Sequence, residues 1–348
     1  MRKMATIRRI DELNPIEGAD KIEVATVGGW KVVCQKGLYV VGDLVVYCEI
    51  DSFIPTTIAP FLTKDGHYPK TYKGVEGERL RTMKLRGQLS QGLLLPAFND
   101  ATGTYLMIYT DEAGEYSLTV AEGDDVTDAL GITRYEPPMS AQLAGVAKGN
   151  FPSQIPKTDQ ERCQNLKREI SQASGTMFEV TEKLDGSSMT VYLIDGVFGV
   201  CSRNLDLKES EGNTFWRVAR ELDLETKMRA MGDNFAVQGE LIGEGIQKNI
   251  YEIRGHKFMV FDMYDIVEGA YLKPNDCQTK TQILGLQHCP IIHRCGSVNH
   301  TIDELLELAE CKSMLNVKTE REGLVFKALD GGFTFKAISN KFLLKHGD

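Results

Sequence analysis

Between Phe178 and Tyr192 an apolar strand, Phe178 to Glu182, delivers Lys183-Leu184-Asp185-Gly186, and a second strand leaves from Ser187. Few segments restrict a fold so tightly, because two strands must be joined at the rim of a sheet with an amine held there. A glycine at that rim lets a phosphate approach the backbone closely, and the lysine reads as a covalent nucleophile. By itself the tetrapeptide reads equally well as a β-turn that closes a hairpin and carries an exposed lysine.

The 348 residues, 42% of them apolar, are enough for a core in each of two domains. The start, Met1 to Ile10, is basic but has no apolar signal region, and no stretch approaches the length of a membrane span. No membrane association and an intracellular, cytoplasmic location are expected. The 8 cysteines follow no framework spacing and read as reduced thiols. His288, Cys289, His293 and Cys295 lie close together, but their spacing matches no zinc finger and a strand explains them as well. A net charge of −9 argues against a protein that coats nucleic acid through a global positive field. One local run is basic: Lys64, Lys70, Lys73, Arg79, Arg81, Lys84 and Arg86 stand against Asp65, Glu76 and Glu78, with His67, Tyr68 and Tyr72 interleaved. That composition suits phosphates with stacked bases, although a charge run can also be a solvated surface.

Residues 1 to about 130 read as β-rich. Ile22–Val27, Lys31–Cys34, Leu44–Ile50 and Leu93–Pro96 are short apolar runs punctuated by Gly28-Gly29, Gly37, Gly42-Asp43 and Pro55, which suggests a small barrel. An acidic stretch from Asp111 to Asp128 is expected on the surface. Pro137, Pro138, Gly145, Gly149, Pro152 and Pro156 place a linker at 135–156, between domains at 1–134 and 157–348. A helix is expected from Thr158, capped by Thr158 or Asp159, with Leu166 and Ile170 buried. Beyond it strands near 178–183, 188–194, 197–203, 235–241, 257–264, 323–328 and 333–338 alternate with helices at Thr214–Met231 and Thr301–Cys311. The latter opens with the capping box Thr301 to Glu304, and the whole is an α+β pattern.

This second domain repeatedly ends an apolar strand on a polar group: Ser202-Arg203-Asn204, Glu240, Phe261-Asp262, Glu322, Lys327 and Lys336. Each alone has a bland explanation. Together they supply what nucleotidyl transfer needs. A lysine must be neutral to attack an α-phosphate, and Lys327, Lys336 and a divalent metal nearby would disfavour its charged form. Asp185, Glu240 and Glu322 would hold that metal through its waters. Phe261 can stack on a base, while Arg203 and Glu240 suit ribose hydroxyls.

Lys183 to Gly186, Ser202 to Asn204, Glu240, Phe261-Asp262, Glu322 to Val325 and Lys336 resemble the ordered motifs of the covalent nucleotidyltransferases. The segments Phe151 to Asp159 and Phe335 to Phe342 are most similar to nick-sealing RNA ligases that carry an N-terminal OB module, RNA ligase family 5. The stretches Gly18 to Val24, Gly29-Trp30 and Arg79 to Gly92 resemble OB modules that bind tRNA, with Trp30 either a core residue or a stacking platform.

The resemblance implies an α+β chain with an N-terminal OB-fold β-barrel, followed by a nucleotidyltransferase domain of antiparallel sheets flanked by helices. It implies ATP and Mg2+ or Mn2+ as cofactors, and nicked duplex RNA or RNA/DNA hybrid ends as partners of a monomer. Lys183 would carry AMP, and Asp185, Glu240 and Glu322 would hold the metal's waters. Gly186, Arg203, Asn204, Glu240, Phe261, Val325, Lys327 and Lys336 would line the nucleotide. The chain departs from the family where relatives carry two lysines as K-x-K: Ile338 follows Lys336 at that spacing, leaving Lys327, Lys341 or Lys345 as the second cation. A capping-type guanylyltransferase would need a further OB domain after Lys336, and only Ala337 to Asp348 follow. A non-catalytic OB-fold RNA-binding protein would not need Lys183, Glu240, Glu322 and Lys336 intact.

Overall fold

A computed structural model describes residues 2–99, 104–111, 114–136 and 146–346. Pro137, Pro138, Gly145 and Glu112, on which part of the reading above rests, lie outside the described residues, as do the side chains of Asp111 and Cys295. The chain divides into two units, Met1–Pro138 with Leu344–Asp348, and Met139–Leu343.

In the first unit Leu44–Cys48 is buried along its whole length, because strands flank it on both sides: Ala5–Arg9 and Leu93–Pro96 pair with it antiparallel. Ile7, Val46, Ile54, Met107, Val126 and Ile132 fill the core beneath. Glu12–Pro15, Ile22–Val27 and Trp30–Gln35 form a second antiparallel sheet. Trp30 is fully buried with its ring 5.7 Å from that of Tyr47, so it is core and not a platform. Two consecutive hairpins, Lys70–Tyr72 with Val75–Arg79 and Thr82–Leu85 with Gln88–Gln91, carry most of the basic run. The acidic stretch contributes the strand Gly114–Val120, and Glu115, Glu122, Asp124, Asp125 and Asp128 are exposed as expected.

The second unit is built on two largely antiparallel sheets. The larger has Ser187–Ile194 and Phe235–Gly243 at its centre, with Val197–Cys201 and His256–Asp265 outside them. Met189, Val191, Leu193, Val237 and Met263 point from one face into a core closed by the helices Thr214–Glu221, Leu224–Met231 and Pro274–Ile283. The smaller runs Ile291–Ser297, Met177–Lys183, Gly323–Ala328, Thr334–Ile338, and its Phe178, Val180, Phe326 and Phe335 pack on the helices Lys167–Gln172 and Ile302–Ala309.

Several expectations need correction. Thr214 to Met231 is two helices, because Asp223 sits at φ 51 between them; Asn213 caps the first by accepting from the amides of Phe215 and Trp216. No helix starts at Thr158. The chain there forms no helix, and Arg162 bridges to Lys336; a 3-10 turn follows at Cys163–Asn165 and the α-helix begins only at Lys167, with Ile170 buried as expected. The stretch read as a linker contains the strand Ala147–Asn150, which pairs with Leu205–Leu207 in the larger sheet. The capping box at Thr301 is present. Gln287–His288 and Ile291–Ser297 are strands, and among the described residues no group of three or more His, Cys, Asp or Glu side chains is gathered as ligands for one metal ion. No described helix is long and apolar enough to cross a membrane.

Candidate active site between two sheets

Lys183-Leu184-Asp185-Gly186 does not close a hairpin. Lys183 pairs with Gly323 in the smaller sheet, whereas Ser187 pairs with Leu241 in the larger, so the tetrapeptide hands the chain from one sheet to the other. Strand alternation then builds a site on both. In Met177–Lys183 the even-numbered Phe178 and Val180 face the core, which leaves Glu179, Thr181 and Lys183 on the other face. Their partners across the ladder are Lys327, Val325 and Gly323, and Lys336 lies opposite Val325 on the next strand. From the larger sheet, Ser188 pairs with Glu240 and Gln238 with Asp262.

At the junction Lys183 Nζ lies 2.7 Å from Glu322 Oε1. The Asp185 amide donates to the hydroxyl of Tyr251 at 2.7 Å, and Gln247 Nε2 donates to the Gly186 carbonyl at 3.2 Å, which pins the turn. Gly186 has a steric role: a Cβ there would lie 2.5 Å from the Leu241 carbonyl oxygen and 2.9 Å from Glu240 Cγ. The close approach it permits is therefore that of the strand carrying Glu240.

The charges are unbalanced. Burial raises the Glu240 carboxyl to about 8, with Glu322 and Asp185 adding to the rise and Lys183 opposing it. Burial and Glu322 likewise raise Asp185 to about 6, against Lys183 and Lys248. Burial alone would lower the pKa of Lys183, but Glu322, Glu240 and Asp185 outweigh it and hold the ammonium above its ordinary value. The expected lowering by Lys327 and Lys336 is absent because both serve other anions. Three carboxylates crowded around one ammonium form a donor set that a divalent cation fits. These carboxylates would hold the ion through its water shell, as suits Mg2+, which dehydrates reluctantly.

Lys327 pairs with Asp262 at 2.7 Å and donates to the Phe261 carbonyl, an ion pair that ties the two sheets together. Its Nζ also lies 5.8 Å from the centre of the Phe261 ring. Register shifts here: Gly239 pairs with Val260 but Gln238 with Asp262, so Phe261 is the extra residue of a β-bulge. Bulges beside sites re-aim a side chain. Lys327 thus anchors the aromatic shelf, and Ile338 is buried opposite Gly323 on the face that carries Lys336.

Sequence reasoning missed the hub opposite Lys336. Asp159 Oδ1 is 3.0 Å from Lys336 Nζ, and its Oδ2 is 3.8 Å from Arg203. Lys157 donates to Asn204 Oδ1 at 2.8 Å, and the Lys336 amide donates to the Glu161 carbonyl at 2.8 Å. Reading Asp159 as a helix cap hid this, and Tyr251 gave no sequence signal. In the first unit Arg79 is committed internally, 2.7 Å from Asp51 and stacked over Tyr135, and Lys70 lies 3.9 Å from Glu78. Lys64, Lys73, Arg81, Lys84 and Arg86 are exposed.

An OB-fold domain model matches residues 4–97, and an RNA ligase model matches residues 176–338. The structure is similar to that of Naegleria gruberi RNA ligase with PPi, at 45% identity and a TM-score of 0.87, with 100% of each chain covered. It is also similar to mutants of that ligase with AMP and Mn (45% identity, TM-score 0.88, 99% of each chain) and with ATP and Mn (44% identity, TM-score 0.87, 99% of each chain). Comparison with curated proteins gives no match. Domain order, site geometry and full-length similarity agree: this chain belongs to the RNA ligase family, with an OB-fold domain ahead of its ligase domain.

Proposed function

We propose that the protein is an ATP-dependent RNA ligase that seals 3′-OH/5′-phosphate nicks in duplexes through an AMP-lysine intermediate at Lys183. The observation that carries the reading is the junction itself, where Lys183 lies 2.7 Å from Glu322 and is close enough to Glu240 and Asp185 for both to raise its pKa. The similar Naegleria structures hold ATP and Mn, AMP and Mn, or PPi, which are a substrate, a product and a leaving group of this chemistry.

In the first step the Lys183 amine attacks the α-phosphorus of ATP. An N–P bond forms, the bond to the bridging oxygen breaks, and pyrophosphate leaves with the electron pair. Glu322, already within hydrogen-bond reach, accepts the amine proton. Mg2+ or Mn2+ held by the waters of Asp185, Glu240 and Glu322 would cancel the field that keeps Lys183 charged and would screen the phosphates. Lys336 lies on the same sheet face as Lys183 and contacts the α-phosphate in this reading. Phe261 stacks on adenine, while Arg203 and Asn204 contact the nucleotide.

In the second step an oxygen of the RNA 5′-phosphate attacks the same phosphorus, the N–P bond breaks, and Lys183 recovers its proton. In the third step the 3′-hydroxyl attacks the 5′-phosphate and AMP departs. The basic segment of the OB domain holds the duplex, and the protein works as an intracellular, cytoplasmic monomer.

The test is sealing of nicked duplexes that differ only in a ribose or deoxyribose on the 3′-OH side, with ATP or GTP supplied. Sealing of the ribose nick with ATP is expected. Equal sealing of all-DNA nicks, or a requirement for GTP, would overturn the reading.

A further inference from the structure

The two consecutive hairpins of the OB domain share one turn geometry with an uncommon residue at its first position. In the first, Tyr72 pairs with Val75, so Lys73-Gly74 is a two-residue loop; in the second, Leu85 pairs with Gln88 around Arg86-Gly87. Both loops have positive φ at both positions, 51 and 83 for Lys73-Gly74 and 51 and 81 for Arg86-Gly87. This is type I′ geometry, which favours Asn or Asp at the first position because their short side chains tolerate the left-handed region.

The ligase domain contains the same turn with the ordinary choice. Asp195-Gly196 joins Ile194 to Val197 at φ 49 and 75, and its amides are held by Asn234 and Asp233 at 3.0 and 2.9 Å. One backbone geometry thus carries an acid where the turn is tied to its own domain, and a long cation at both tips of the basic run. Conformation does not account for a lysine and an arginine there. Both side chains are exposed, nothing lies within 4 Å of where a Cβ of Gly74 or Gly87 would stand, and the second hairpin, Thr82 to Gln91, has no acidic residue.

We infer that Lys73 and Arg86 are paired backbone grips, each placing one cation on a phosphate of the RNA duplex. The inference rests on the ligase reading and says which of the basic residues hold the duplex. Phosphate contacts of this kind position a duplex without reading its sequence.

The test measures binding of a nicked RNA duplex by fluorescence anisotropy across a KCl series. For the double variant Lys73→Asn/Arg86→Asn, affinity at about 0.1 M salt should fall roughly tenfold, and the slope of log K against log salt should flatten by about 2. Its melting temperature should not fall, since asparagine suits the turn. The charge-retaining Lys73→Arg/Arg86→Lys should keep the wild-type slope. An unchanged slope in the asparagine variant, equal loss in the charge-retaining variant, or wild-type binding to poly-glutamate in place of RNA would each overturn the inference. Labelling of the wild-type chain by α-labelled ATP needs no RNA, so it reports separately on the ligase reading.

Discussion

The two domains place their charges in opposite ways. In the ligase domain the charged groups sit at strand ends between two sheets, and each of three lysines is countered: Lys183 by Glu322, Lys327 by Asp262, Lys336 by Asp159. In the OB domain the cations of the basic run mostly stand exposed on hairpins, and Arg79 is drawn into the fold by Asp51. A buried charge must be paired or it destabilises, so its partner reveals its role; an exposed charge reveals its role only through the backbone chosen to display it. The contrast predicts that substitutions between the sheets affect chemistry and stability together, whereas substitutions at the hairpin tips affect RNA binding alone.

The largest effect is expected where stability and chemistry meet. Asp262→Ala leaves Lys327 buried without its counter-charge, which should cost about 3 kcal/mol in denaturant unfolding and release the Phe261 shelf, so the KM for ATP should rise in the folded fraction. Loss of stability with an unchanged KM would break the link between that ion pair and the aromatic ring. Next comes Gly186→Ala. Its methyl would collide with the Leu241 carbonyl and Glu240, so adenylylation should slow on the order of 100-fold, with a loss of about 1–3 kcal/mol in stability. A variant with native activity would show that the strand carrying Glu240 has room to move.

The pH dependence is a smaller effect with a definite sign. Asp185 and Glu240 have folded pKa values of about 6 and about 8, above their unfolded ones, so the folded state favours their protonated forms. Their contribution to stability is present below about pH 4 and is lost as pH rises through about 6 to 8 in the metal-free protein. A divalent cation prefers the ionised carboxylates, so Mn2+ should raise the melting temperature more at pH 8 than at pH 5.5. An equal rise at both values would place the metal elsewhere. The smallest expected change belongs to the hairpin tips, where only the salt dependence of RNA binding should move.

How much of this was legible in the sequence depended on whether the cause was local. The capping box at Thr301 is set by neighbours along the chain, and it could be read from residue type and spacing. The ordered polar strand ends pointed to the site for the same reason. What could not be read was decided by partners distant in sequence. Asp159 has the chemistry of a helix cap, but the bridge between Arg162 and Lys336 keeps its segment out of helix and gives it Lys336 instead. The ion pair of Lys327 was hidden because nothing near it in sequence announces Asp262. The bulge at Phe261 depends on how two strands register, and the transfer of the chain between sheets at Lys183 depends on which strands pair with each side.

The central claim is that the junction between the sheets turns one lysine into a nucleophile. The most direct test is to incubate the protein with ATP and Mg2+ or Mn2+, digest it, and locate the AMP by mass spectrometry. The prediction is a single adenylated peptide carrying AMP on Lys183, and none from Lys183→Ala. AMP on another residue, AMP retained by Lys183→Ala, or an unmodified wild-type chain would contradict it.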